Sequence, residues 1–323
     1  MRALLILCNL ALLCGSAWAA EKSAKLLPVR IAVVSRGTLD LPFWVARERG
    51  FFRDEGVDAE IILFKASLTV QGMLGGSIDF GTATGTVVSA AVSGADVRVI
   101  LAMSERPSFD LIGHASITNI QQLRGKKIGY GGVGGLPEII IRQILTANQI
   151  PIDQVTFLSL GGGDVSFISL RAGVIDVVML QFPNTFLAQD EGFRKIAAGA
   201  DYYRAVQGGL TATKAVLTEK PEAVAKVVRA TLRAVRLLKS DRKYGLEVLT
   251  KKNYVDLGKE RERFAERAYE AATQGYLANG VVDEKLQREM IQLAAQRLKP
   301  PPQVAPERIF DFSFARKAAE GLR

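Results

Sequence analysis

Leu74-Gly-Gly-Ser-Ile-Asp-Phe80 and Arg171-Ala-Gly-Val-Ile-Asp-Val177 share the run Gly-x-Ile-Asp, at Gly76/Asp79 and again at Gly173/Asp176, 97 residues apart. Ahead of each copy lies a short apolar run leading into a glycine loop, Val29-Arg-Ile-Ala-Val-Val-Ser-Arg-Gly37 and Lys126-Lys-Ile-Gly-Tyr-Gly-Gly-Val-Gly134. Each loop is followed by Leu-Pro, at Leu41-Pro42 and Leu136-Pro137, and then by a helical pattern. Several features sharing one offset imply two α/β lobes of one design. Two facing lobes make a cleft, and glycine loops on both walls make that cleft a ligand site.

Outward from this repeat, apolar β-branched runs predict strands over 29–34, 59–64, 78–81 and 97–103, alternating with helices over 43–52, 69–74 and 84–93. The order recurs with strands over 127–130, 155–158 and 174–180 and helices over 137–148 and 165–170. Strand–helix alternation indicates parallel-rich sheets. Ile140, Ile141, Ile144 and Leu145 fall on one face of their helix. The crossings between lobes are placed at 104–114 and 205–216, where short segments can act as hinges. After Pro221 the pattern is helical only, over 221–239, 243–252, 259–277, 283–298 and 311–322. Pro221 suits a first helical turn, and Val224, Val227, Val228, Thr231, Val235 and Leu238 follow the 3,4 spacing of one buried face.

The N-terminus reads as a secretory signal peptide over 1–20: Arg2, an apolar stretch over 3–14, and the small-residue site Gly15-Ser-Ala-Trp-Ala19. Both cysteines, Cys8 and Cys14, leave with it, so the mature chain has no thiol, disulfide or cysteine metal ligand. Lipidation at Cys14 is disfavoured by the bulky Leu13. A soluble, exported protein in a bacterial periplasm is expected. The formal net charge of +9 does not imply nucleic acid, because the charges mix signs, as in Lys259-Glu-Arg-Glu-Arg263, and no basic stripe interleaved with aromatics occurs. His114 is the only histidine. Thiol catalysis and multi-histidine zinc are therefore excluded for the mature chain, and no cofactor and no metal are expected.

Leu41-Pro-Phe-Trp-Val-Ala-Arg-Glu-Arg-Gly-Phe-Phe52, Gly76-Ser-Ile-Asp-Phe-Gly81, Leu123-Arg-Gly-Lys-Lys-Ile-Gly129, Leu170-Arg-Ala-Gly-Val-Ile-Asp176 and Lys220-Pro-Glu-Ala-Val224 resemble the nitrate/sulfonate/taurine solute-binding family of ABC importers. That family includes binders and makers of the thiamine pyrimidine precursor. The resemblance covers essentially the whole mature chain. It implies a two-lobe periplasmic-binding-protein fold, with lobe 1 over 21–108 plus 212–323 including the C-terminal helices and lobe 2 over 109–211. It further implies a small organic anion or heteroaromatic metabolite as ligand, a membrane permease as partner, and a monomer that is not an enzyme. The precursor-making branch depends on histidine- and cysteine-rich chemistry that this mature chain lacks.

Each motif also has a folding reason. Gly76/Asp79 and Gly173/Asp176 read as helix C-cap glycines followed by a strand that opens with Asp. Gly129-x-Gly131-Gly132-x-Gly134-Gly135 is a partial match to a dinucleotide fingerprint, with Asp153 at about the right distance but loose spacing and Pro137 opening the helix. The resemblance implies that this loop presents backbone N–H groups at a helix N-terminus to the ligand, and that is the favoured reading. The expected cleft contacts are Arg36, Thr38, Leu39, Trp44, Thr82, Thr84, Arg106, Gly132, Gly134 and Gln181. Arg106, at the first crossing, is the favoured guanidinium for an anion. A secreted lyase or hydrolase using Asp40, Asp110 or Asp164, and a ligand-sensing accessory protein, are the alternatives.

Overall fold

A computed structural model describes residues 26–133, 135–161, 163–257, 261–296 and 298–322. The expected signal peptide and Gly134 lie outside the described residues. In chain order the first lobe supplies β1 (Leu27–Val33), α1 (Leu41–Glu48), α2 (Phe51–Asp54), β2 (Val57–Leu63), α3 (Thr69–Leu74), β3 (Phe80–Gly81), α4 (Thr84–Val92) and β4 (Val97–Ser104). The second supplies β5 (Phe109–Gly113), β6 (Lys127–Tyr130), α5 (Leu136–Ala147), β7 (Thr156–Ser159), α6 (Gly163–Arg171), β8 (Val177–Gln181), α7 (Asn184–Asp190) and β9 (Arg194–Ala198). The chain then returns through β10 (Gln207–Thr213) and continues as α8 (Lys214–Glu219), α9 (Pro221–Ser240), α10 (Arg242–Lys251), α11 (Arg261–Gly275), α12 (Glu284–Ala295), α13 (Pro306–Ile309) and α14 (Ser313–Gly321).

The two sheets have orders β2-β1-β3-β10-β4 and β7-β6-β8-β5-β9. They are the same pattern. In each, three strands run parallel, and the fourth is antiparallel to both its neighbours. That fourth strand is the one by which the chain enters from the other lobe, β5 into the second and β10 into the first. The repeat is therefore closed by exchange of one strand each way. β5, β9 and β10 are strands that the sequence reading leaves as crossing or loop, and β10 places the first sheet's return at Gln207, ahead of 212.

Each sheet buries both faces, as parallel-rich sheets must. Ile31 and Val33 of β1 face the cluster with α1 and α9, whereas Ala32 faces the cluster with α4 and α12. In the second lobe Ile140, Ile141, Ile144 and Leu145 of α5 pack on Ile128 of β6. The α9 residues Val224, Val227, Val228, Thr231, Val235 and Leu238 are all buried. The expected helix over 43–52 is two helices, because Gly50, between them, takes φ +74° and turns the chain out of the first. Among the described residues, no helix is long and apolar enough to cross a membrane.

Candidate functional site

The loop from β1 to α1 is built around Asp40. Its carboxylate is 2% exposed and accepts from the Ser35 N–H at 3.0 Å and the Ser35 hydroxyl at 2.9 Å. Burial pushes its pKa up to about 6, against hydrogen bonds from Ser35 and Thr82. The buried Tyr276 hydroxyl donates to the Thr38 carbonyl, and the Asp256 N–H donates to the Arg36 carbonyl at 2.8 Å. These tethers hold Thr38 and Leu39 at the carboxyl edge of the sheet, where ligand clefts of such folds form.

Opposite stands the loop from β8 to α7. Between the two loops is a cavity of about 300 Å³. Thr38 and Leu39 line it from the first lobe. Arg106 lines it at the first crossing, and Asp110, Gln181, Phe182, Thr185, Phe186 and Lys195 line it from the second. Its outer wall is α11, through Ala268, Ala271, Ala272 and Gly275, a stripe at helical spacing that leaves a smooth surface. The internal repeat gives this cavity a counterpart. The first turns of α4 and the loop from β6 to α5 border a second hollow of about 440 Å³, lined by Thr86, Ser89, Val133, Gly135 and Leu136 and walled by Met290 and Leu293 of α12.

The electrostatics of the first cavity are matched pairwise. Lys195 Nζ lies 2.8 Å from Asp110. Burial raises the Asp110 pKa, and the hydrogen bond from Lys195 opposes that rise. Arg106 lies 3.2 Å from Asp201, tying the first crossing to the turn after β9. The Gln181 amide donates to the Ser108 hydroxyl at 3.1 Å, and the Ser108 N–H donates to the Gln207 side chain at 3.1 Å. The lobes also touch along α7 and α11. Asp190 pairs with Arg263 at 2.9 Å and with Arg267 at 3.0 Å, and the Arg267 guanidinium lies 4.1 Å from the Phe186 ring centre.

Of the ten expected contacts, four line this cavity: Thr38, Leu39, Arg106 and Gln181. Gly132 is in the loop that borders the second hollow, between Gly131 and Val133. Thr82 and Thr84 are buried and their hydroxyls serve the fold: Thr82 Oγ1 accepts from the Val34 N–H at 3.2 Å, and Thr84 Oγ1 donates to the Val206 carbonyl at 3.4 Å. Arg36 is exposed and outside the linings of both hollows. Trp44 is also outside them. Its ring stacks on Tyr254 at 5.7 Å and Arg47 covers it at 5.2 Å. The helical spacing that places Trp44 beside the loop turns its ring toward the C-terminal helices. Of the three candidate carboxylates, Asp110 alone lines the cavity. Asp164 accepts from Asn184 at 2.9 Å and is exposed. His114 packs on Phe193 at 5.3 Å. Among the described residues, no group of three or more His, Cys, Asp or Glu could hold a metal.

Lys195, Thr185, Phe182 and Phe186 are absent from the sequence-based expectation. Lys195 sits on β9 and Thr185 on α7, two elements too short to announce themselves by periodicity. The Ala268/Ala271/Ala272/Gly275 stripe was readable, since small residues on one helix face mark a close approach.

The sequence matches the NMT1/THI5-like family over residues 40–242. The riboflavin-binding protein RibY of Chloroflexus aurantiacus is 22% identical over 206 residues, 60% of this chain and 57% of that protein. The chain spans a little over half the length of the curated relatives it matches. Among solved structures, the putative periplasmic sulfonate-binding protein SsuA of Methylobacillus flagellatus superposes with TM-score 0.74 at 21% identity, over 92% of this chain and 95% of that one. The desulfurization enzyme DSZB has the same fold, with TM-score 0.61 at 14% identity, over 92% of this chain and the whole of that one.

Proposed function

Because this chain belongs to the NMT1/THI5-like family, we propose that it is the periplasmic solute-binding component of an ABC import system, holding a small organic anion or heteroaromatic metabolite between its two lobes and passing it to a membrane permease. One observation carries this reading: the loops at the carboxyl ends of β1 and β8, one from each lobe, face each other across a cavity with hydroxyl, amide and aromatic linings. The lobes hinge at 105–108 and 202–206, and ligand shifts an open–closed equilibrium by binding both walls at once. Exported through a cleaved signal peptide, the protein acts as a monomer.

The residues support binding over turnover. Asp110, the one candidate carboxylate in the cavity, is tied to Lys195, and Asp40 is held by its own loop. The DSZB likeness keeps a lyase or hydrolase as the second reading. Mass spectrometry under native conditions, on protein purified from a periplasmic fraction, tests the proposal. A retained small molecule, unchanged on prolonged incubation, is the expected result. Conversion of that molecule to a product would establish the enzyme instead, and absence of any retained or added solute would favour the accessory protein.

A further inference from the structure

Among the described residues, eight large apolar side chains are exposed, and six of them fall on two segments. Leu63 ends β2, Leu68 precedes α3 and Leu74 ends it, while Val165 and Ile168 are on α6 and Val174 follows it. The segments are counterparts in the repeat. Leu68 and Val165 are 97 positions apart, the offset of the two Gly-x-Ile-Asp motifs. Single exposed apolar side chains need no explanation, but a matching group on each lobe marks a contact surface. Charge agrees with this. Residues 66–78 hold no charged side chain, and residues 154–170 hold only Asp164, which accepts from Asn184.

Topology places both groups at the mouth of the cleft. In the first sheet β4 and β10, which lead into and out of the crossings, lie toward one edge and β2 is the other edge. In the second, β5 and β9 lie toward one edge and β7 is the other. The crossings hinge the lobes, so β2 and β7 lie on the sides away from the hinge. Leu68 and Val165 follow the carboxyl ends of these two strands, the ends that face the cleft. They flank its mouth, one on each lobe, and closure changes the distance between them.

A partner that touches both groups registers the relation of the lobes. Two alike groups fit a partner with two alike surfaces, which an assembly of paired subunits supplies. A lipid surface calls for Lys and Arg beside the apolar side chains. These stretches contain neither, and Arg171, just beyond the second, is paired with Glu191, leaving Lys65 beside the first. Three side chains on each lobe are too few for a lasting pair of copies and suit a partner that is engaged and released.

We infer that the apolar groups about Leu68 and Val165 are the surface by which this protein docks on a membrane permease, each lobe seating on one of two alike surfaces of that partner. The inference rests on the solute-binding reading and adds to it the residues and the apolar character of the contact.

Two experiments test it. In the first, a photo-crosslinking phenylalanine replaces Leu68, Val165 or, as a control, Lys285, which is exposed beside the crossings, and whole cells of the host are irradiated. The same multi-span permease subunit of an ABC importer is expected at Leu68 and at Val165, and not at Lys285. Capture of a second copy of the chain, of lipid, of unrelated proteins at the two positions, or of nothing would overturn the inference. In the second, purified protein is sedimented with right-side-out vesicles of the host cytoplasmic membrane and with vesicles of the lipid extracted from it. Leu68→Asp combined with Val165→Asp is expected to melt with the wild type, since both positions start helices where Asp is favoured, and to bind the membrane vesicles about tenfold less well. Leu68→Ser with Val165→Ser takes its place if the Asp pair melts lower. Unchanged binding in the variant, or equal wild-type binding to lipid alone, would overturn the inference. Retention of a solute in native mass spectrometry judges the solute-binding reading separately.

Discussion

Asp79 and Asp176, 97 positions apart, make the same pair of contacts. Asp79 Oδ2 accepts from the Arg30 N–H at 2.9 Å, and its own N–H donates to the Arg30 carbonyl at 3.0 Å. Asp176 Oδ2 accepts from the Lys127 N–H at 2.8 Å, and its N–H donates to the Lys127 carbonyl at 3.0 Å. Arg30 and Lys127 are themselves 97 apart. The glycines ahead of them, Gly76 and Gly173, take φ +69° and +68°. The repeated motif is thus a device for folding: glycine turns the chain out of a helix in the left-handed conformation, and the aspartate fastens it to the neighbouring strand.

A charge-assisted bond of this kind is worth about 1.5–3 kcal/mol. Asp79→Ala and Asp176→Ala are each expected to lose on the order of 2 kcal/mol in urea unfolding, with little change in solute affinity. The half-exposed Lys220 partner of Asp79, at 2.9 Å, adds under about 1 kcal/mol to the first. Loss of binding without loss of stability would make these carboxylates ligand contacts.

Asp40 sets a pH dependence. Its folded pKa of about 6 lies above its ordinary value of 3.8, so the folded protein holds a proton that the unfolded chain has released. Stability from this group is full below about pH 4, falls as pH rises toward about 6, and is level above. The fall is on the order of 3 kcal/mol. Asp40→Asn is expected to flatten that slope in urea midpoints measured between pH 4 and pH 7, with the wild-type-minus-variant difference isolating Asp40 from Asp110. A difference that does not vary with pH would remove Asp40 as the titrating group.

Much of this was legible in the residues, and the part that was not has physical causes. The repeat, the buried face of α9 and the inner face of α5 follow from periodicity, because burial on one side imposes it. β5 and β10 were missed because each is a five- to seven-residue strand placed where the chain crosses between lobes, and its pairing is decided by partners more than 60 positions away. The cavity lining was legible where a loop follows a strand, as for Thr38 and Gln181. It was not legible where tertiary structure decides: Thr82 and Thr84 look like ligand hydroxyls until the backbone groups they satisfy are seen.

Arg267 clamps the lobes. It reaches from α11 to Asp190 and Phe186 of α7, and its guanidinium also lies 5.9 Å from the Phe264 ring centre. An exposed ion pair and a stacked guanidinium each contribute about 0.5–1 kcal/mol. Arg267→Ala is expected to shift ligand-free protein toward the open form, seen as a larger radius of gyration in small-angle scattering, and to weaken solute binding about three- to tenfold. An unchanged radius would show that this contact does not govern closure.

Arg106 lines the interlobe cavity and also has a partner within the protein. At a crossing it can reach both lobes, which makes it the natural counter-charge for an anion. It reaches Asp201 in the turn after β9, with side chains 51% and 62% exposed, and Ser104 fixes its backbone by accepting from its N–H at 3.1 Å and donating to its carbonyl at 3.2 Å. A pair this exposed is worth about 0.2–1 kcal/mol and weakens with salt. Arg106→Ala is therefore expected to cost no more than about 1 kcal/mol of solute affinity, less at high ionic strength. Asp201→Asn is the sharper experiment, because it releases the guanidinium into a cavity whose other lining cation among the described residues, Lys195, is paired with Asp110. Benzoate affinity is expected to rise about tenfold in Asp201→Asn and to return to the wild-type level in the double variant with Arg106→Ala. Collapse of binding in Arg106→Ala alone would restore this guanidinium as the direct ligand contact.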